Sequence, residues 1–247
     1  MKKKYCIANW KMNQSVEDCE NYAFKLKSSF CKTSSEMIVC PSFIHLSKIK
    51  DLFGDLEIQI GAQTISEHLN GAYTGEISVE MLNDFNINWT IVGHSERRQF
   101  FNETNQDIQN KLKIAVENKI NPIVCIGETL LERQNSKTIE VLKEQIQTTF
   151  DSINCSNIKL IIAYEPVWAI GSGVTADLNT ISETHEEIRN ILSKIISNSE
   201  KVSILYGGSV NPDNCEKILN LKHVDGFLIG GASLDPEKFL NIYRKMN

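Results

Sequence analysis

The feature that most constrains the fold is a regular alternation of short β-rich runs with helix-like segments. It repeats eight times along the 247 residues, and no proline-rich or Gly/Ser-rich linker interrupts it. The sequence therefore offers no visible domain boundary. The predicted strands are Tyr5–Trp10, Met37–Pro41, Ile58–Gln63, Trp89–Gly93, Pro122–Gly127, Lys159–Tyr164, Val202–Gly207 and Gly226–Gly230.

Most of these runs are continuously apolar, as in Ile123–Ile126 and Leu160–Ala163. Such runs are typical of strands that are covered on both faces in a parallel sheet. Eight βα units without a long linker favour closure of that sheet into a barrel. We therefore predict an α/β fold, a single-domain (β/α)8 TIM barrel over residues 1–247. A doubly wound open sheet is the structural alternative.

The segments between the strands show helical periodicity. Apolar residues recur every three or four positions from Val16 to Phe30, and Ser15 with Asp18 resembles a capping pair in front of them. Similar stripes start at Ile108, Ile139 and Ile181. The last helix is predicted to begin at Asp235-Pro236, a cap followed by a proline, and to bury Phe239, Leu240 and Tyr243.

Charge and cysteine content exclude several classes of function. The formal net charge is −5, so the chain as a whole presents no basic field for nucleic acid or an anionic membrane. The seven cysteines are odd in number and contain no CxxC pair, which favours reduced thiols over a disulfide framework or a zinc site. The apolar run after the basic start is too short for a signal peptide. We expect a cytoplasmic protein without a metal, a nucleic-acid partner or a membrane partner.

Polar residues and glycines gather just after the predicted strands. In a barrel, the carboxyl ends of the strands carry the active site. Glycines after the last two strands let backbone N–H groups approach an anion, so we expect a site for a small phosphorylated ligand. The residues at the strand ends are Asn9, Lys11, Gln63, His94-Ser95-Glu96, Glu128, Glu165, Gly207-Gly208-Ser209 and Gly230-Gly231-Ala232-Ser233.

Six segments are spread over nearly the whole chain, and five of them contain residues noted after strands one, four, six, seven and eight. The segments are Asn9-Trp-Lys11-Met-Asn13, Gly71-Ala-Tyr-Thr-Gly75-Glu76, Val92-Gly-His94-Ser-Glu96-Arg-Arg98, Ala163-Tyr-Glu165-Pro-Val-Trp168-Ala-Ile-Gly171, Tyr206-Gly-Gly-Ser209-Val-Asn211 and Gly226-Phe-Leu-Ile-Gly230-Gly-Ala-Ser233. They resemble the signature segments of the triosephosphate isomerase family, in the order in which that family has them.

The resemblance implies a cofactor-free isomerisation of dihydroxyacetone phosphate and glyceraldehyde 3-phosphate. Glu165 would be the base that moves the proton between carbons. His94 would stay neutral beside a helix N-terminus and stabilise the enediolate, an arrangement for which triosephosphate isomerases are themselves the standard example. Lys11 and Asn9 would add a positive charge and a donor. Ser95 and Glu96 would support the site.

The resemblance also implies a phosphate site, a lid and a dimer. The backbone N–H groups of Gly171, Ser209, Gly230 and Gly231 would hold the phosphate, and Asn9 and Lys11 would also contact the substrate. The lid would comprise Pro166, Val167, Trp168, Ala169, Ile170, Gly171, Ser172, Gly173, Val174, Thr175 and Ala176. Ser172 and Val174 depart from the usual family residues. A homodimer loop would comprise Gly71, Ala72, Tyr73, Thr74 and Gly75, with Thr74 reaching Asn9 and Lys11 of the partner subunit.

Other functions stay open on the sequence. The segment Gly171–Ala176 fits a dinucleotide fingerprint, but Pro166–Ile170 separates it from its strand, where that motif requires an immediate strand-to-helix turn. An isomerase of a bulkier phosphosugar would use a similar barrel. A non-catalytic phosphate-binding barrel would be expected to lack one of Asn9, Lys11, His94 and Glu165, and all four are present.

Overall fold

In a computed structural model, which describes residues 2–54, 56–170 and 175–247, the chain forms a closed barrel of eight parallel strands. Each strand pairs with the next in chain order, and β8 pairs with β1 (Tyr5↔Gly226). This closing pairing excludes the open sheet. The strands are β1 (Tyr5–Asn9), β2 (Glu36–Cys40), β3 (Ile58–Ala62), β4 (Trp89–Val92), β5 (Asn121–Ile126), β6 (Ile161–Tyr164), β7 (Ser203–Tyr206) and β8 (Gly226–Ile229).

Helices surround the barrel and connect the strands. They are α1 (Val16–Ser29), α2 (Leu46–Phe53), α3 (Val79–Asp84), α4 (Ser95–Phe100), α5 (Asn105–Glu117), α6 (Leu130–Gln134), α7 (Thr138–Phe150), α8 (Leu178–Ile195), α9 (Cys215–Leu219) and α10 (Pro236–Arg244). Short 3-10 helices cover Phe43–His45, Val167–Ala169, Ser199–Lys201 and Gly231–Leu234. The predicted strands are confirmed, with ends that differ by one or two residues.

The predicted helix starts are also confirmed. Ser15 and Asp18 form a reciprocal capping box at α1, and Asp235 caps α10 with proline in its first turn. Val16 and Ile139 are exposed, so the apolar stripes of α1 and α7 begin one turn later than the sequence pattern suggested. The sequence gives no bounds for the short helices α2, α3, α4, α6 and α9, since each is too short to show a long apolar period.

The core has two layers because successive side chains of a strand point to opposite faces of the sheet. Ile7 packs with side chains from the other strands inside the barrel, whereas Cys6 and Ala8 pack outward against the helices. Both faces of each strand are therefore apolar, which explains the continuous runs in the sequence. None of the helices in the described ranges is long and apolar enough to cross a membrane.

His185 on α8 is fully buried in the outer layer, beside Tyr164 and Tyr206. Its Nδ1 lies 3.0 Å from the carbonyl oxygen of His223, so a neutral ring with its proton on Nδ1 donates that bond. Burial disfavours the imidazolium and lowers the pKa of His185 to about 4 from its ordinary value of 6.5. These contacts give His185 a structural role.

This buried histidine predicts a loss of stability in acid. The unfolded chain binds a proton at His185 below pH 6.5, whereas the folded protein does so only near pH 4. The stabilisation is therefore complete above pH 6.5 and falls by about 3 kcal/mol as the pH drops to 4. Urea unfolding of wild type and His185→Gln at pH 7 and pH 4 measures this loss in the free energy of unfolding. The variant should lose less stability between the two pH values, and equal losses would contradict the assignment.

Candidate active site

The carboxyl ends of the strands surround a cavity of about 190 Å³. Closure of the barrel brings the ends of β1, β4, β6, β7 and β8 to this one opening. Every predicted catalytic residue and every described predicted phosphate-binding residue lines it. Gly171, Ser172, Gly173 and Val174 lie outside the described residues. The lining residues are Asn9, Lys11, His94, Glu165, Ile170, Gly207, Gly208, Ser209, Val210, Leu228, Ile229, Gly230, Gly231 and Ala232.

Glu165 follows β6 and is 2% exposed. One carboxylate oxygen, Oε1, lies 3.0 Å from Nε2 of His94. The other, Oε2, accepts a hydrogen bond of 2.9 Å from the backbone N–H of Ser95. Both oxygens are therefore held by the turn after β4, and the carboxylate must exchange at least one of these partners to reach a substrate carbon.

His94 is the N-cap residue of α4, and its ring is held on both nitrogens. Nδ1 accepts a hydrogen bond of 3.2 Å from the backbone N–H of Glu96 in the first turn of that helix. A nitrogen that accepts a bond has no proton, so the proton of the neutral ring lies on Nε2 and points at Glu165. This arrangement provides a hydrogen-bond donor at the floor of the cavity.

The two side chains shift each other's titration. Burial raises the pKa of Glu165, but the charge and hydrogen bond of His94, the Ser95 N–H and the Lys11 ammonium lower it by more, so the pKa lies below its ordinary value. Burial lowers the pKa of His94, but the Glu165 carboxylate raises it by more, and the net shift is upward. Glu165 is thus ionised at neutral pH, as a base that removes a proton must be.

Lys11 has a left-handed backbone, with φ of 54°, in the loop after β1. Its N–H donates to Oδ1 of Asn9 at 3.1 Å, and its carbonyl accepts from the side chain of Gln63 at 2.8 Å. The ammonium lies 2.5 Å from Oε1 of Glu96 and packs beside Gly230. These contacts aim a positive charge into the cavity. The sequence noted Gln63 at its strand end without giving it a role.

The loops after β7 and β8 form a concave surface of backbone groups. A Cβ built on Gly231 would meet nothing within 4 Å, so this position is open to the cavity. Gly231 begins the 3-10 helix Gly231–Leu234, whose first N–H groups have no partner within the helix and are available to an anion. Ser209 stands on the opposite loop, where its hydroxyl donates to the carbonyl of Ala169 at 2.8 Å.

Glu128 anchors the start of the predicted lid. Its carboxylate is fully buried after β5 and accepts hydrogen bonds from Nε1 of Trp168 at 3.0 Å and from the hydroxyl of Tyr164 at 3.2 Å. The guanidinium of Arg133 also binds this carboxylate and lies over the indole ring at 5.2 Å. Trp168 thus packs against the start of the predicted lid and is not among the residues that line the cavity. The sequence analysis did not identify Arg133, because no motif around it indicates a contact with Glu128 or Trp168.

Two glycines make room for Glu165: Gly207, noted at its strand end in the sequence, and Gly127, to which the sequence assigned no role. A Cβ on Gly127 would lie 1.7 Å from the backbone carbonyl oxygen of Glu165, and one on Gly207 would lie 2.9 Å from its Cγ. The carboxyl ends of β5, β6 and β7 therefore approach each other more closely than any side chain permits.

In the described part of the chain, no group of three or more His, Cys, Asp or Glu residues is arranged to hold a metal ion.

Comparison with known proteins gives a consistent result. The family model described as Triosephosphate isomerase matches residues 4–246. The chain is similar to the triosephosphate isomerase of Dictyoglomus turgidum, with 44% identity over 99% of this chain and 100% of the relative. It is also similar to that of Vesicomyosocius okutanii, with 42% identity over 98% of both chains, and to that of Alkaliphilus metalliredigens, with 41% identity over 98% of this chain and 99% of the relative.

Proposed function

The chain belongs to the triosephosphate isomerase family, and we propose that Glu165, His94, Lys11 and Asn9 carry out the reaction of that family. The reaction interconverts dihydroxyacetone phosphate and D-glyceraldehyde 3-phosphate, a step of glycolysis and gluconeogenesis. The observation that supports this assignment best is the contact of a buried, ionised carboxylate with a hydrogen-bond donor at 3.0 Å, in the same cavity as Lys11 and the glycine loops.

The proposed chemistry is a proton transfer through an enediolate. Glu165 removes the proton from the carbon beside the carbonyl. The electron pair of that C–H bond forms the C=C bond of the enediolate, and the π pair of the carbonyl moves to its oxygen. The Nε2–H of His94 and the ammonium of Lys11 stabilise the oxygen as it becomes negative. Glu165 then returns the proton to the neighbouring carbon, while the hydroxyl proton passes from the oxygen that becomes the new carbonyl to the oxygen of the former one. Atoms and electrons balance within the substrate, so no redox partner is consumed. The N–H groups of Ser209, Gly230 and Gly231 hold the phosphate in place during both transfers.

Movement of Glu165 toward the substrate would also adjust His94. The Glu165 carboxylate is the main cause that raises the pKa of His94, and Glu96 adds a smaller effect in the same direction. Once the Glu165 carboxylate turns to the substrate, burial, the Lys11 ammonium and the N–H of Glu96 at Nδ1 remain, and these favour the neutral ring. A neutral imidazole donates a hydrogen bond to the enediolate oxygen without fully protonating it. The intermediate therefore keeps the negative charge that lets it accept a proton at the neighbouring carbon. Triosephosphate isomerases are the standard example of this tuning.

A coupled assay tests the function. Purified protein is given glyceraldehyde 3-phosphate and a dehydrogenase that consumes dihydroxyacetone phosphate, with no metal or cofactor supplied for the isomerase. Consumption of NADH far above the rate without protein is expected. A rate equal to that background would overturn the proposal. Incubation with a five- or six-carbon phosphosugar, with the products followed directly by NMR, distinguishes an isomerase of bulkier substrates, which would convert these sugars instead.

We also propose that the protein is a cytoplasmic homodimer and that residues 1–247 form one domain. The segment after β3 projects from the barrel, and a hydrogen bond of 2.8 Å between Ser66 and Ile77 closes its neck. Its Leu69 and Tyr73 are exposed, as are Met12 after β1 and Ile44 after β2. Because β1, β2 and β3 are adjacent, the loops that follow them adjoin. An exposed apolar surface of this kind supports a protein interface.

The free state of all seven cysteines supports a reducing compartment.

The dimer predicts a specific response to mutation. Tyr73→Asp places a charge in the proposed interface and should weaken association by at least about tenfold, equivalent to about 1.4 kcal/mol. Sedimentation velocity over a dilution series measures this. Phe24→Asp is the matched control, since Phe24 is an even more exposed aromatic on α1, and it should sediment as wild type. A monomeric wild type, or equal behaviour of both variants, would contradict the proposal.

A further inference from the structure

The turn between β4 and α4 holds both partners of the Glu165 carboxylate. The ring of His94 contacts Oε1, and the N–H of Ser95 donates to Oε2. The turn begins at Gly93, which has φ of 71°, and a Cβ there would lie 2.8 Å from Cδ1 of Ile108 on α5. The position of this turn therefore decides where the base and the electrophile sit.

Arg98 ties this turn to its surroundings. Its side chain folds back from α4, and Nε donates to the carbonyl of Gly93 at 2.9 Å. Nη2 donates to the carbonyl of Cys125 on β5 at 3.1 Å, and Nη1 donates to Oδ1 of Asn105 at the start of α5 at 2.6 Å. One guanidinium thus links the turn, the neighbouring strand and the next helix.

The pairing of β4 with β5 explains why a side chain is needed to bind the carbonyls of Gly93 and Cys125. Pairing of β4 with β5 ends at Val92↔Val124, so Gly93 and Cys125 lie just past the last paired residues. The chain turns away from the sheet at Gly93. The guanidinium replaces the missing ladder bond by donating to both carbonyls, and its rigid, planar set of donors can satisfy three acceptors in fixed directions.

The hydrogen-bond partners of Arg98 are neutral oxygens, although partial burial disfavours its charge and lowers its pKa, an effect that the carboxylates of Glu165 and Glu103 only partly offset. A partly buried cation whose hydrogen-bond partners are neutral contributes little stability, because removing it from water has a cost. The same residue is well suited to fixing geometry. Arg98 does not line the cavity, so it cannot touch the substrate directly.

We propose that Arg98 is a positioning residue for the isomerase reaction, which holds the His94–Ser95 turn against Glu165. The inference rests on the proposed roles of His94 and Glu165. A misplacement of the reacting groups by about 1 Å can cost about a hundredfold in rate. The loops proposed to bind the phosphate follow β7 and β8, and neither strand is a neighbour of β4 in the barrel. Their contribution to substrate binding should therefore not depend on Arg98.

Two substitutions test the proposal. Arg98→Met keeps an unbranched apolar stem but removes every donor, and it should lower kcat by roughly 10- to 100-fold with KM changed less than about threefold. Arg98→Lys keeps the charge but cannot reach three acceptors, and its kcat should lie between those of Arg98→Met and wild type. Arg244→Met is the control, because Arg244 also donates to a carbonyl, that of Ser29, on the exposed outer surface.

The ¹⁵N resonances of the His94 ring report the geometry without turnover. In wild type, Nδ1 accepts the Glu96 N–H, and in Arg98→Met its resonance should move toward that of a ring without this bond. Lowered kcat with retained KM and a shifted resonance supports the proposal. It is overturned if folded Arg98→Met has wild-type kcat, if kcat and phosphate affinity fall in parallel, if the His94 resonance does not move, or if Arg244→Met is equally impaired.

If Arg98→Met does not fold, Arg98→Lys provides the test of the positioning role. A reduced kcat with a shifted His94 resonance supports the role, and wild-type values of both overturn it. Absence of turnover in the wild-type protein would instead overturn the proposed function, and the His94 resonance would still show whether Arg98 holds the turn. The two failures are thus distinguishable.

Discussion

Replacing Glu165 by glutamine is expected to lower kcat by roughly 100- to 10,000-fold, the usual contribution of a general base. Glutamine has nearly the same shape and still offers one oxygen to the N–H of Ser95, but it cannot take a proton from carbon. Binding of inorganic phosphate should stay within a few-fold of wild type, since its proposed donors belong to β7 and β8. Steady-state kinetics and competitive inhibition by phosphate measure both effects.

Glu128→Gln is the matched comparison, because Glu128 is also a buried carboxylate that follows a neighbouring strand. It anchors Trp168 and touches no reacting atom, so its loss should reduce kcat far less. Glu165→Asp retains the base but withdraws it by about 1 Å, and we expect a loss of about a hundredfold. Wild-type turnover in Glu165→Gln, or equal losses in Glu165→Gln and Glu128→Gln, would remove Glu165 from the role of base.

The second large effect is expected from Gly127→Ala, a change of one methyl group. The added Cβ would lie 1.7 Å from the Glu165 carbonyl oxygen, so the ends of β5 and β6 must separate. The separation breaks the 2.7 Å hydrogen bond from the Glu165 N–H to the Ile126 carbonyl. We expect a loss of about 1–3 kcal/mol in the free energy of unfolding, as for overpacked cores, and about a hundredfold in kcat from displacement of Glu165.

Gly54→Ala is the control for this substitution. Gly54 ends α2 with ordinary helical angles, and the nearest atom to an added Cβ lies at 3.5 Å. The same methyl group should there be neutral or stabilise by about 0.4–1 kcal/mol, because alanine restricts the unfolded chain. Denaturant unfolding and kcat are measured for both variants. A Gly127→Ala protein with wild-type stability and turnover would contradict the close approach of β5 and β6.

The barrel strands and the strand-end residues could be read from the sequence because both follow from local periodicity. A continuous apolar run such as Ile123–Ile126 indicates a strand buried on both faces, and a parallel sheet places the residues after its strands at one edge. That logic located Asn9, His94 and Glu165 before any coordinates. It located Gly230 and Gly231 in the same way.

Periodicity does not say which strand neighbours which, or how closely two strands approach. The alternation was compatible with an open sheet, and only the pairing of β8 with β1 decided for a barrel. The same closure sets the 3.0 Å contact of His94 with Glu165 and the position of Arg98 beside Cys125. It also leaves no room for a Cβ at Gly127. The amino-acid sequence alone determined which residues face the site, because the direction of a side chain is a local property. Their distances and hydrogen-bond partners depend on contacts between residues far apart in the chain, which only the tertiary structure decided.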